Sequence, residues 1–252
     1  DDVIDTYGFM IFEADARVAR WVHAARVAAH EVAQRPEMRR PDNLRHQQTW
    51  FVGVDALPNA HDGSMDGIPL QGPWEAHVPK LPLHPAQLSI IYAGYPKQDA
   101  GESDANHRFR LNRAAAHVDG LLPVGPDKRR FALEYHAYIL ALPLTEVAAS
   151  PTVVWRGSHH IMQRALRDAI AGRDPAQVDI TEAYKAARRD VFETCTPVPL
   201  KITAGQSALV HRFALHGTQP WDGSKDPSGE GRMIAFFRPE CAGGAEEWLV
   251  LP

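Results

Sequence analysis

Three sets of residues in this chain have the chemistry of a metal centre with an anion beside it. The first is His117-Val118-Asp119. In an extended segment, side chains two positions apart point to the same face, so this imidazole and carboxylate can converge on one ion. Alone the pair is a weak signal in a chain with 13 histidines; its other reading is a loop histidine satisfied by a neighbouring carboxylate. The second set runs from Gly205 to Thr218 and reads as a turn, a strand, and then His216 where the strand ends. Gly217 follows it and allows close backbone approach. With His216 as third ligand, two imidazoles and one carboxylate would leave the rest of an octahedral ion open, the facial arrangement of non-haem Fe(II) oxygenases. His211 competes for this role. The two histidines are five positions apart, so in a regular strand they face opposite sides and cannot both reach the ion. His216 is preferred because Gly217 lets the chain turn away, and His211 then reads as an ordinary strand residue. The third set is Arg232, which opens the strand Met233 to Phe237. Alternation places it on the face of Ile234 and Phe236. If that face is inward, the guanidinium is buried and needs an anion, for which a carboxylate is the matching shape. If outward, it is an exposed arginine at a strand start.

The elements that must position these residues show in the hydrophobic periodicity. Val18, Trp21, Val22, Ala25, Ala29 and Val32 recur at three- and four-residue steps, the stripe of an amphipathic helix. Asp15 can cap its start, and Pro36 lies past its end. Strands are expected at Tyr7 to Phe12, Leu88 to Ala93, Phe131 to Leu142, Thr152 to Trp155, Val198 to Thr203, Ser207 to Leu215 and Met233 to Arg238. Gly94-Tyr95-Pro96 reads as a turn. Ser158 can cap a helix from His159 to Ala171, and a second helix spans Ile180 to Glu193. The adjacent His159 and His160 are expected to diverge at a helix start. Residues 36–85 are rich in Gly and Pro and read as a functional or covering loop region. Short strands separated by turns, with helices inserted, favour a decorated jelly roll or barrel over a βαβ sheet. The chain therefore reads as one domain, 1–252. It is mainly β with flanking helices, residues 1–87 forming an N-terminal helix and covering region and 88–252 a jelly-roll core.

Composition narrows the function classes. There are 27 basic and 31 acidic residues, for a net charge of −4. No segment concentrates Lys and Arg, which argues against nucleic acid as a partner. No apolar run approaches the ~20 residues of a membrane span. Two cysteines, Cys195 and Cys241, allow at most one bridge. A reducing, cytoplasmic setting is the default. The chain begins with Asp1 rather than Met, which leaves room for an upstream segment.

Taken in order, these pieces resemble the phytanoyl-CoA dioxygenase family of Fe(II)/2-oxoglutarate-dependent oxygenases. Tyr7-Gly8-Phe9 before the amphipathic helix resembles the family's start, and His117-Val118-Asp119 its metal-binding pair. Val153-Val154-Trp155-Arg156-Gly157-Ser158-His159 is similar to its strand closing in a Gly-Ser-His turn. Gly205 to Gly217 resembles the last ligand segment, and Arg232 the co-substrate arginine. The gap from His216 to Arg232 is longer than the family's usual one, which implies an insertion at Trp221 to Gly229. Arg238 is the fallback arginine. No tryptophan matches the family's usual one between Asp119 and Thr152, where Tyr135 or Tyr138 would serve.

The resemblance implies a double-stranded β-helix, cupin-like, with Fe(II) on His117, Asp119 and His216. Arg232 would hold 2-oxoglutarate, with Thr218 and Tyr135 as further co-substrate contacts. It implies oxidation of a small organic molecule by O2, with release of succinate and CO2. Halogenating relatives have a small residue at the position of Asp119, so the intact carboxylate implies hydroxylation. Arg113, Arg156 and Trp155 flank the motif positions and are candidates to face the substrate. The 36–85 stretch and residues 221–231 would shape the pocket mouth. Two other readings are a cupin-like metalloenzyme without 2-oxoglutarate, holding Zn or Mn, and a catalytically silent jelly-roll binding protein.

Overall fold

Strands whose two faces are both covered organise this chain. A computed structural model describes residues 3–252. Its strands are β1 (Phe9–Phe12), β2 (Trp50–Gly53), β3 (Gln87–Ile91), β4 (Leu121–Val124), β5 (Arg129–Ala132), β6 (Ile139–Pro143), β7 (Thr152–Trp155), β8 (Pro197–Leu200), β9 (Ser207–Val210), β10 (His216–Thr218) and β11 (Arg232–Phe237). The helices are α1 (Val3–Tyr7), α2 (Ala16–Gln34), a distorted turn α3 (Arg45–Gln48), α4 (Asp104–Arg113), α5 (Ser158–Ile170), α6 (Thr181–Thr194) and α7 (Gly244–Val250).

The major sheet has the order β1-β9-β6-β11-β3-β2 and the minor sheet β10-β7-β8, all pairs antiparallel, with β4 and β5 as a side hairpin. Ile139 and Ala141 of β6, Val210 of β9 and Ile234 of β11 meet Val154 of β7 and Leu200 of β8 in one buried cluster, so the sheets pack face to face. The other face of the major sheet, with Leu88, Ile90, Leu140, Leu142, Met233, Ala235 and Phe237, packs on Trp21 and its neighbours in α2 and on the 36–85 loops. The outer face of the minor sheet, with Val153 and Trp155, packs on α5, α6 and α7. These are the layers of a double-stranded β-helix flanked by helices. Helix α2 forms as the stripe requires. Asp15 accepts from the Arg17 N–H at its start, and Trp21 is fully buried, its Nε1 donating to Gly63 O at 2.7 Å.

Several expectations need correction. The apolar run Phe131 to Leu142 is two strands. β5 stays in the side hairpin and β6 enters the major sheet, while Tyr135 to Ala137 bond to the 239–241 segment. The run Ser207 to Leu215 also breaks. β9 ends at Val210 in the major sheet, and the chain crosses before β10 begins the minor sheet at His216. Ser158 does not cap α5. Gly157, with φ +79°, precedes the helix, and Ser158 Oγ instead accepts the Leu215 N–H at 2.8 Å. Helix α4 has no buried residue and hence no apolar stripe to find, although Ser103 Oγ caps it at Asn106 N–H. β1, within the strand expected from Tyr7 to Phe12, and β2 are the two edges of the major sheet. Both cysteines are free. No described helix is long and apolar enough to cross a membrane.

Candidate metal centre

Backbone pairing brings the three expected ligands together. The His117 N–H donates to His216 O at 2.9 Å and the His216 N–H to His117 O at 3.1 Å, an isolated antiparallel bridge. It requires close approach of the 114–117 segment. A Cβ at Gly217 would lie 2.1 Å from Ala114 O, so only glycine fits there. Asp119 follows in the turn, and Gly120 (φ +82°) lets that turn close against Glu134 O.

The imidazoles are held in one tautomer. A carbonyl oxygen only accepts, so His117 Nδ1–H donates to Ala115 O at 3.0 Å and His216 Nδ1–H to Ala214 O at 2.9 Å. Both Nε2 atoms are then left with a lone pair, and both face Asp119 Oδ1, at 3.1 Å for His117 and 3.5 Å for His216. Burial pushes the Asp119 carboxyl up, but the Arg238 guanidinium and then His216 outweigh it and hold the group well below the usual carboxylate range. The three ligand atoms lie within 4.8 Å of one another, and the buried Nε2 of His216 has no hydrogen-bond partner. Three acceptor atoms converging without a donor repel one another, and a cation removes the conflict. Donation of the second ring nitrogen to a carbonyl is also how metal-bound histidines are oriented. The donor set fits a divalent ion.

A cavity of about 310 Å³ opens at this point between the sheets. Beyond the ligands it is lined by Trp50, Gln87, Ser89 and Phe236 of the major sheet, Thr152 and Thr218 of the minor sheet, and Glu134, His136 and Arg238. Gln87, Ser89 and Trp50 were not expected at the site. The signal available was the polar pair at alternate positions of the otherwise apolar strand Gln87 to Ile91.

Arg232 faces inward. It is 3% exposed, and its Nε donates to Ser150 O at 3.0 Å. Nη1 and Nη2 have no partner, and neither do the buried hydroxyls of Ser150 and Thr152. Burial pulls the guanidinium pKa down to about 10. A buried charge without a counter-ion is costly, so an anion reaching these nitrogens would be stabilised, although Arg232 is not itself among the residues lining the cavity. Arg238, the fallback, is already engaged: Nε donates to Asp119 Oδ2 at 2.5 Å and Nη1 to Gln87 Oε1 at 2.7 Å.

The remaining candidates divide. Thr218 lines the cavity. Tyr135 does not; its hydroxyl donates to Ala132 O and its ring packs on Trp248. Tyr138 donates to Pro79 O on the loop side. Trp155 is buried against Phe192, Arg113 lies over the same Phe192 ring, and Arg156 lies over Tyr7. None of these three lines the cavity; for Trp155 the reason is that β7 turns Thr152 and Val154 inward and Val153 and Trp155 toward the helices. His211 is buried against His159, ring centroids 4.7 Å apart, with Nδ1 accepting the Phe213 N–H. The rings of His159 and His160, expected to diverge, lie 3.9 Å apart.

Fold and site together define a double-stranded β-helix protein with a two-histidine, one-carboxylate centre between its sheets. No family model matches the chain, and no curated protein does. Among solved structures it is similar to the non-heme alpha-ketoglutarate-dependent carbocyclase SnoK from nogalamycin biosynthesis, at 15% identity over 97% of this chain and 85% of that one, TM-score 0.53. It is also similar to EctD from S. alaskensis with 2-oxoglutarate and 5-hydroxyectoine, at 14% identity over 98% and 80%, TM-score 0.47. HygX from Streptomyces hygroscopicus with nickel, 2-oxoglutarate and hygromycin B gives 13% identity over 94% and 85%, TM-score 0.41. The likeness to SnoK shows the fold; the other two scores are too low to add to it.

Proposed function

We propose that this chain is an Fe(II)/2-oxoglutarate-dependent oxygenase that hydroxylates a small organic molecule. The observation that carries this reading is Arg232, a buried guanidinium with two unpartnered nitrogens, on the strand face that also presents Phe236 to the metal-side cavity. A keto acid's distal carboxylate matches such a cation, whereas a cupin-like metalloenzyme without one does not require it. SnoK, a solved structure with a similar fold, is itself named as alpha-ketoglutarate dependent.

In this reading His117 Nε2, Asp119 Oδ1 and His216 Nε2 hold the iron. Iron(II) on such a triad supplies redox chemistry with O2 while leaving positions open for co-substrate. Arg232 holds the distal carboxylate of 2-oxoglutarate through its free Nη1 and Nη2, and the Ser150 and Thr152 hydroxyls add donors beside it. Asp119, kept ionised by Arg238, fills the position that a halide would need, which supports hydroxylation as the outcome. Trp50, Phe236 and the two packed sheets limit water around the centre.

The test is an anaerobic titration with Fe(II) and 2-oxoglutarate, followed by succinate measurement after O2 is admitted. A visible charge-transfer band and succinate formation are expected. Metal binding without any affinity for the keto acid would overturn the reading in favour of the cupin alternative.

A further inference from the structure

The three ligands are not held alike. Both imidazoles are fixed by backbone carbonyls, Ala115 O and Ala214 O, which no substitution removes. Asp119 is the one ligand held by a side chain. Its Oδ2 accepts from Arg238 Nε at 2.5 Å, which leaves Oδ1 as the oxygen facing both Nε2 atoms. Arg238 is itself fixed from two sides. Its Nη1 donates to Gln87 Oε1, and its guanidinium carbon sits 5.1 Å from the Phe236 ring centroid. Gln87 and Phe236 are register partners on β3 and β11, so the sheet itself aims the guanidinium at Asp119.

We propose that Arg238 is a positioning residue that locks Asp119 as a one-oxygen ligand, with Gln87 holding Arg238 in turn. The proposal rests on the metal-centre reading above. A carboxylate free to rotate can offer both oxygens to an ion, or turn away from it. A charge-assisted bond to one oxygen removes that freedom. One oxygen from Asp119 leaves an octahedral ion with one more open position than a bidentate carboxylate would. Outer partners of this kind typically contribute 10- to 100-fold in metal affinity.

A guanidinium beside a divalent ion repels it but also keeps Asp119 ionised. What separates a clamp from a neighbouring charge is therefore the ligand geometry and the Gln87 variant, which leaves the charge in place and removes its hold. Co(II) alone, titrated anaerobically into the purified wild type, Arg238→Leu and Gln87→Leu, reads both affinity and, through its visible bands, ligand geometry. Arg238→Leu is expected to bind Co(II) about 10- to 100-fold more weakly with an altered band. Gln87→Leu keeps the cation but frees it, and a smaller loss of about threefold in the same direction is expected. If Arg238→Leu does not fold, as judged by its melting temperature, Gln87→Leu carries the test alone. Wild-type or tighter Co(II) affinity with an unchanged band in the folded variant would overturn the clamp. Absence of Co(II) binding by the wild type would instead remove the metal centre itself, so the two failures are distinguishable.

Discussion

The backbones of His117 and His216 exchange two hydrogen bonds, and this bridge sets the ring centroids of the two histidines 4.7 Å apart. The ligand spacing is thus a property of the main chain, and of the glycine beside it. Gly217→Ala would place a methyl group on Ala114 O. It should lower stability by about 1–3 kcal/mol and weaken metal binding at least roughly tenfold. Gly101, around which a Cβ meets nothing within 4 Å, is the control, and Gly101→Ala should leave both unchanged. Melting temperature and a metal titration on each variant measure this.

The two histidines of the 205–218 segment should separate cleanly on substitution. His216→Ala is expected to abolish tight Fe(II) binding and succinate formation. His211 lies outside the cavity against His159, so His211→Ala should retain iron and alter stability alone. Iron content per chain decides between them, and the reverse pattern would move the centre.

Arg232 should show a trade of stability against function. Its two buried guanidinium nitrogens have no hydrogen-bond partner. Replacing even a paired buried charge with apolar side chains is often neutral or stabilising, so replacing this unpaired one should not destabilise the fold. Arg232→Met should therefore melt no lower than wild type while losing on the order of a hundredfold in 2-oxoglutarate affinity. A marked drop in melting temperature would show that a partner already holds the charge.

Acid should unfold the protein partly through His159. Burial pulls its pKa down to about 4, outweighing the raising effect of its bond to Asp5 O. The unfolded chain binds this proton near the ordinary value of about 6.5, so it takes up more protons than the native state across the interval. The contribution is intact above the unfolded pKa and is lost as pH falls toward the folded one, about 2 kcal/mol between pH 7 and 5. His211, held well below its usual value mainly by burial, adds in the same direction. Urea midpoints at pH 7 and 5 should fall less for His159→Gln than for wild type. Equal falls would show that His159 does not carry the effect.

Local spacing is what the sequence determined. His117 and Asp119 share a face because they are two apart, Arg232 shares one with Ile234 and Phe236 for the same reason, and α2 follows from its stripe. Tertiary structure decided the rest. All four residues of β7 are buried, as are those of β6 and β9. With both sheet faces covered, such strands carry no apolar–polar alternation, so nothing local says that Thr152 looks into the cavity and Trp155 away from it. The apolar runs 131–142 and 207–215 read as single strands for want of such alternation, although the first is divided between the side hairpin and the major sheet and the second leaves the major sheet after Val210. The pairing of 117 with 216, and of Arg238 with Asp119, joins segments about a hundred residues apart. Contacts at that range exist only once the sheets have packed, because their geometry comes from the packing and from no spacing along the chain.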